Sequence, residues 1–190
     1  MITDHKEIKY WLDKYAIQNY TIRPDSVVDV NGDVNLYNIH SIMDIPIQFG
    51  DIGGLFSVQC TSITSLKGVP SVVNEMFSCS GTNITTLEHA PAIVRGHFYC
   101  NDTHIKSMSG VDKMIKQIEG EFECRPRADD LWGTLTPTHL LGLLLIDGIR
   151  MFYFDNKEVS KIMSKYCGTG DILSAQDELI DAGFIDQARL

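Results

Sequence analysis

The chain has 190 residues, 44% of them hydrophobic and 22% charged, with a formal net charge of −9. It is long enough to bury a core, and its composition is that of a folded rather than a disordered protein. The acidic balance excludes a simple phosphate-binding surface, which needs clustered Lys and Arg.

The opening stretch, MITDHKEIKYWLDKY, lacks the apolar segment of a secretion signal. Asp4 followed by Glu7 starts a helix that should run through about Ala16, with Ile8, Trp11, Leu12 and Tyr15 on one apolar face. The turn chemistry of Arg23–Ser26 separates strand-like YTI from VVDV. Residues 1–26 therefore read as an N-terminal cap of helix and strand.

Asn31-Gly32 alone would signal a hairpin. DVNGDV has the outline of a calcium loop, but Val34 stands where glycine is needed and His40 where a bidentate Glu belongs. An internal repeat accounts better for both. FSVQCTSITSLKGVP from Phe56 returns 21 residues later as FSCSGTNITTLEHAP from Phe77, and again as FYCNDTHIKSM from Phe98. Phe56, Phe77 and Phe98 align, as do Thr61, Thr82 and Thr103, then Ile63, Ile84 and Ile105, then Leu66, Leu87 and Met108. With a step of 24 the pattern extends downstream to Phe122 and Cys124. The same step extends it upstream, matching Val34, Ile39, Ile42, Ile45 and Pro46 to Val58, Ile63, Leu66, Val69 and Pro70.

A period of this length, with alternating apolar positions and further apolar residues after them, is the leucine-rich-repeat signature. Phe77-x-Cys79-x-x-Thr82-x-Ile84 fills its slots, with Thr in place of the usual Asn. The expected fold is an α/β-type repeat solenoid: a leucine-rich repeat with one parallel strand per rung, about five rungs over residues 27–130. In each strand the Phe and Cys side chains point inward and their neighbours outward. Cys79, Cys100 and Cys124 thus share an inward column, where a small apolar residue fits. They lack the C-x₂₋₄-C pairing of a zinc site, and five cysteines in all read as reduced thiols of a cytosolic protein.

After the repeats, residues 131–190 read as a small helical domain. LLGLLLI at 140–146 is apolar all round, which suits a buried helix and is too short to cross a membrane. Asn156 caps a helix over Lys157–Tyr166, and Asp171 caps one through about Ala182, ended by Gly183. CGTGD between them lacks the Lys-Ser/Thr of a phosphate loop and reads as an inter-helix connection.

Two resemblances rest on these residues. Thr82–Val94 resembles the short repeats of secreted bacterial effectors, departing where Glu88 replaces a proline. LKGVPSVV, GHFYCNDTHIKSM and VDVNGDVNLYN, together with the segment from LLGLLLIDG to the end, resemble the leucine-rich-repeat proteins of tailed bacteriophages. The second likeness implies a phage origin and the cytoplasm of an infected bacterium.

No catalytic, metal or cofactor motif emerges. The six histidines are scattered, and an enzyme would need an unrecognised site in the helical end, with Cys167 and His139 as its first suspects. The expected functional surface is the outward strand face: Asp33, Asn35, Ser57, Gln59, Ser78, Ser80, Tyr99, Asn101, Glu123 and Arg125. Tyr and Arg are the types enriched at binding hot spots. The leading expectation is a non-enzymatic binding module that engages a host bacterial protein, such as a defence nuclease or signalling protein, and inhibits it. No direct nucleic-acid contact and no membrane are expected. A virion or assembly component is the structural alternative.

Overall fold

The computed structural model describes residues 1–127 and 136–190. It begins with α1 (His5–Lys14), whose N-cap Asp4 accepts hydrogen bonds from the N–H groups of Lys6 and Glu7. Ile8, Trp11 and Leu12 are buried and Tyr15 half-buried, so the predicted face packs inward. Ala16, at φ 54, ends the helix in the left-handed region.

From there the chain winds as a β-solenoid, each coil contributing two short strands to two different sheets. The first sheet holds β1 (Tyr20–Ile22), β2 (Val27–Val30), β4 (Gln48–Ile52), β6 (Val72–Val73), β8 (Ile93–Val94) and β10 (Gln117–Ile118) in that order. The second holds β3 (Val34–Asn35), β5 (Phe56–Ser57), β7 (Phe77–Ser78), β9 (Phe98–Tyr99), β11 (Glu121–Glu123) and β12 (Met151–Tyr153). Every pairing is parallel except that of β1 with β2, the hairpin around Arg23–Ser26.

One strand per coil was expected, and the first sheet is therefore a finding of the structure. Its signal is a further inward column, Val30, Ile52, Val73, Val94 and Ile118, all nearly fully buried. The bend between the two strands of a coil needs close backbone approach. A Cβ on Gly96 would stand 2.4 Å from the carbonyl oxygen of Glu75, and one on Gly120 would stand 2.6 Å from that of Gly96. The turn at Asn31-Gly32 is this bend in the first coil, since β2 and β3 belong to different sheets.

The interior is a ladder of rings. Phe49, Phe56, Phe77, Phe98, Phe122 and Phe152 follow one another at centroid separations of 5.3, 6.1, 4.9, 5.4 and 6.1 Å, with Trp11 of the cap 6.1 Å from Phe49. The expected Thr, Ile and Leu/Met columns are all buried. Each Thr hydroxyl donates to the carbonyl three residues before it: Thr61 to Val58 at 2.7 Å, Thr82 to Cys79 at 2.6 Å and Thr103 to Cys100 at 2.9 Å. Each threonine thus caps a backbone carbonyl at the turn that follows its strand.

The downstream step of 24 holds, Phe122 pairing with Phe98. Its three extra residues are taken up by the single helical turn α2 (Val111–Met114). The upstream step does not hold. Val34 pairs with Phe56 and Asn35 with Ser57, a step of 22. In the following turn the N–H of Ser62 donates to Ile42 as that of Asn83 does to Ile63, a step of 21. A slip of two residues keeps every side chain on its own face of the strand, so the inward–outward pattern cannot reveal it.

The expected boundary at 130–131 lies outside the described residues. Beyond it the chain returns to the solenoid. Ile118 N–H donates to Asp147, Arg150 N–H donates to Gly120, and β12 extends the second sheet beside β11. LLGLLLI is not an α-helix: Leu141–Leu145 is a 3₁₀ turn that buries Leu141, Leu143 and Leu144 but leaves Leu145 half exposed. Then come α3 (Lys157–Lys165), capped by Asn156, and α4 (Ile172–Asp181), capped by Asp171, with Gly183 at φ +87 after it.

Candidate functional site: the outer face of the second sheet

The register defines the outward columns. One runs Asn35, Ser57, Ser78, Tyr99, Glu123 and Tyr153. The next runs Tyr37, Gln59, Ser80, Asn101 and Arg125, as the hydrogen bonds from Asn38, Cys60, Gly81 and Asp102 to those carbonyls establish. The corrected register moves the first coil's outward pair from Asp33 and Asn35 to Asn35 and Tyr37. Asp33 instead accepts the N–H of Leu55 at 3.0 Å, beside the bend.

At the N-terminal and central coils the small polar residues are occupied. Asn35 accepts the N–H of Tyr37, Ser57 that of Gln59, and Ser78 that of Ser80. Ser80 accepts the N–H of Asn101, and Asn101 that of Arg125. These N–H groups lie where the strands end, so without the side chains they would lack a partner. Ser57, Ser78 and Ser80 are 5%, 1% and 7% exposed. Residues so sunken offer a partner almost no surface, so this part of the expected face is structural.

The C-terminal end of the same face is different. There β9, β11 and β12 present a block three strands wide, with His97, Tyr99 and Asn101 beside Glu121, Glu123 and Arg125, then Met151, Tyr153 and Asp155. Arg125 pairs with Glu123 at 2.9 Å. The His97 ring stacks on Tyr99 at 5.6 Å with 7° between planes, and its Nδ1 accepts the N–H of Glu121 at 3.2 Å. A Glu121 carboxylate oxygen also lies 3.5 Å from the same nitrogen. Burial first, then Glu121 and Glu123, push the Tyr99 hydroxyl above its ordinary pKa. Burial likewise raises the carboxyl of Asp155, Arg125 opposing it and Asp102 adding to it. Tyr99 therefore stays a neutral donor at physiological pH.

The cysteine column lies inside the solenoid. Cys79, Cys100 and Cys124 are fully buried, Leu36 and Val58 precede them in register and Phe154 follows. Burial pushes the thiols of Cys79 and Cys100 well up. Cys167 is half-buried, its thiol pushed up to about 11 by burial. His139 meets the hydroxyls of Ser107 and Thr138 at 3.2 and 2.9 Å.

Among the described residues no helix is long and apolar enough to cross a membrane. No protein-family model, curated protein or solved structure matches the chain.

Proposed function

We propose that the chain is a leucine-rich-repeat module that binds another protein through the C-terminal end of its second sheet, without catalysing a reaction. The observation that carries this reading is the block around Tyr99, Glu123, Arg125 and Tyr153. It places Tyr99 and Tyr153 on either side of Glu123, with Arg125 two residues further along the central strand, at positions released from the backbone-capping duty that the serines perform elsewhere on the face. Tyrosine loses little conformational freedom on binding, and tyrosine and arginine are both enriched at the hot spots that dominate interface energetics. The repeat spacing, the inward columns and the threonine caps support the leucine-rich-repeat assignment over other parallel solenoids.

The resemblance to tailed-phage proteins extends the proposal. The module is phage-encoded, acts in the cytoplasm of the infected bacterium, and engages a host protein to inhibit a defence system such as a nuclease or nucleotide-signalling complex. An affinity capture from bacterial lysate tests this, using the native chain beside one carrying Tyr99→Ala and Arg125→Glu, with equal melting temperatures as the control for folding. A host protein retained by the native chain and lost by the variant is the expected result. Equal retention by both moves the interface away from this block. Recovery of virion proteins alone replaces the reading with an assembly role.

A further inference from the structure

Next to the block, between β12 and α3, lies an open cleft of about 630 Å³. Met151, 41% exposed, and the half-buried Tyr153 give it an apolar floor, while Arg125, Lys157 and Lys161 line it with cations. Lys157 and Lys161, one helical turn apart, project from the same side of α3. Among the described residues neither lysine has a carboxylate at ion-pair distance, Lys161 feeling Glu178 only at longer range while Glu178 pairs with Lys165. The cleft's serines are already used: Ser160 and Ser164 accept the N–H groups of Phe154 and Phe152, each at 2.9 Å.

Arg125 is already paired with Glu123, so Lys157 and Lys161 against the single lining carboxylate, Asp155, leave the α3 side of the cleft positive in a chain whose net charge is −9. Local charge of the opposite sign to the whole molecule selects an anionic ligand at short range. A phosphate polymer is disfavoured by the same geometry, because Glu121 and Glu123 stand on the adjoining strand, where the next phosphates would fall. A short segment with one or two carboxylates and an apolar anchor avoids that repulsion and fills the floor.

We propose that this cleft docks an acidic peptide segment of a partner protein, its carboxylates meeting Lys157 and Lys161 and an aromatic or large aliphatic side chain resting on Met151 and Tyr153. The proposal rests on the protein-binding reading and names the chemistry of the partner.

A random-peptide display library panned on the full-length chain, with winners measured by fluorescence anisotropy, tests it. The expected winners carry Asp or Glu beside an aromatic or leucine residue. They should bind the Lys157→Glu/Lys161→Glu variant about tenfold or more weakly, and weaken with rising salt. Both lysines are exposed, so the variant should melt with the native chain. Winners without acidic excess, no enrichment, or equal affinity for the variant would each overturn the cleft assignment. So would binding of an oligodeoxythymidylate probe that is lost with the same two lysines. A chain that captures a host protein through Tyr99 and Arg125, yet selects no acidic peptide, keeps the binding module and loses this cleft.

Discussion

Thr82 shows how one side chain holds a coil closed. Its hydroxyl is fully buried and donates to the Cys79 carbonyl at 2.6 Å, where no water can replace it. Thr82→Val keeps the shape and removes the donor, leaving a buried carbonyl short of a partner. The expected loss is about 1–3 kcal/mol in chemical denaturation. Thr82→Ser, which keeps the hydroxyl, should lose less. A loss no larger for Val than for Ser would mean that the column is retained for packing alone.

At the scale of elements, the two ends of the second sheet contrast. A sheet edge exposes unpaired N–H and C=O groups, and proteins cover them. At β12 the cover is α3. Ser160 and Ser164, one turn apart, accept the N–H groups of Phe154 and Phe152, and their hydroxyls lie 3.2 and 3.4 Å from the carbonyls of the same two residues. The helix thereby stands in for the next coil. Ser160→Ala with Ser164→Ala should leave the helix formed, since Asn156 still caps it, and cost roughly 1–3 kcal/mol. Amide hydrogen exchange at Phe152 and Phe154 should accelerate in that variant while exchange in β7 and β9 holds. Unchanged exchange at those two amides would show that burial, and not the serines, protects the edge.

Over the whole molecule, stability in a stack of this kind comes from each coil and its contacts with the next. The ring ladder is the continuous part of that contact, from Trp11 through Phe152. Phe77 is its middle member, fully buried between Phe56 and Phe98. Phe77→Ala should cost about 3–5 kcal/mol and interrupt the coupling between the two halves. Urea unfolding should then show a lower midpoint and a broader transition. A midpoint close to that of the native chain would mean that the ladder relaxes around the gap.

The repeat, the inward columns, the capped helices and the loop between α3 and α4 were legible in the sequence, because spacing and capping chemistry are local. Three features were not. The first coil's register slips by two residues, which leaves the alternation intact, so only the hydrogen bonds from Val34 and Leu36 to Leu55 and Ser57 decide it. The first-sheet strands β6, β8 and β10 each contribute a single inward apolar residue, Val73, Val94 and Ile118, so no alternation marks them as Phe77-x-Cys79 marks the second sheet. The return of residues 147–153 to the solenoid depends on partners some thirty positions away in sequence.

The same division runs through the candidate site. The sequence determined which side chains face outward along β5, β7, β9 and β11, since a strand's period of two fixes that without knowledge of its neighbours. Only the tertiary structure decided which of them are free. Backbone N–H groups at the strand ends claim Ser57, Ser78, Ser80 and Asn101, whereas the arrival of β12 beside β11 sets Tyr153 against Glu123 and opens the cleft against α3. Burial and hydrogen bonding between segments distant in sequence make that choice, and no local pattern encodes them.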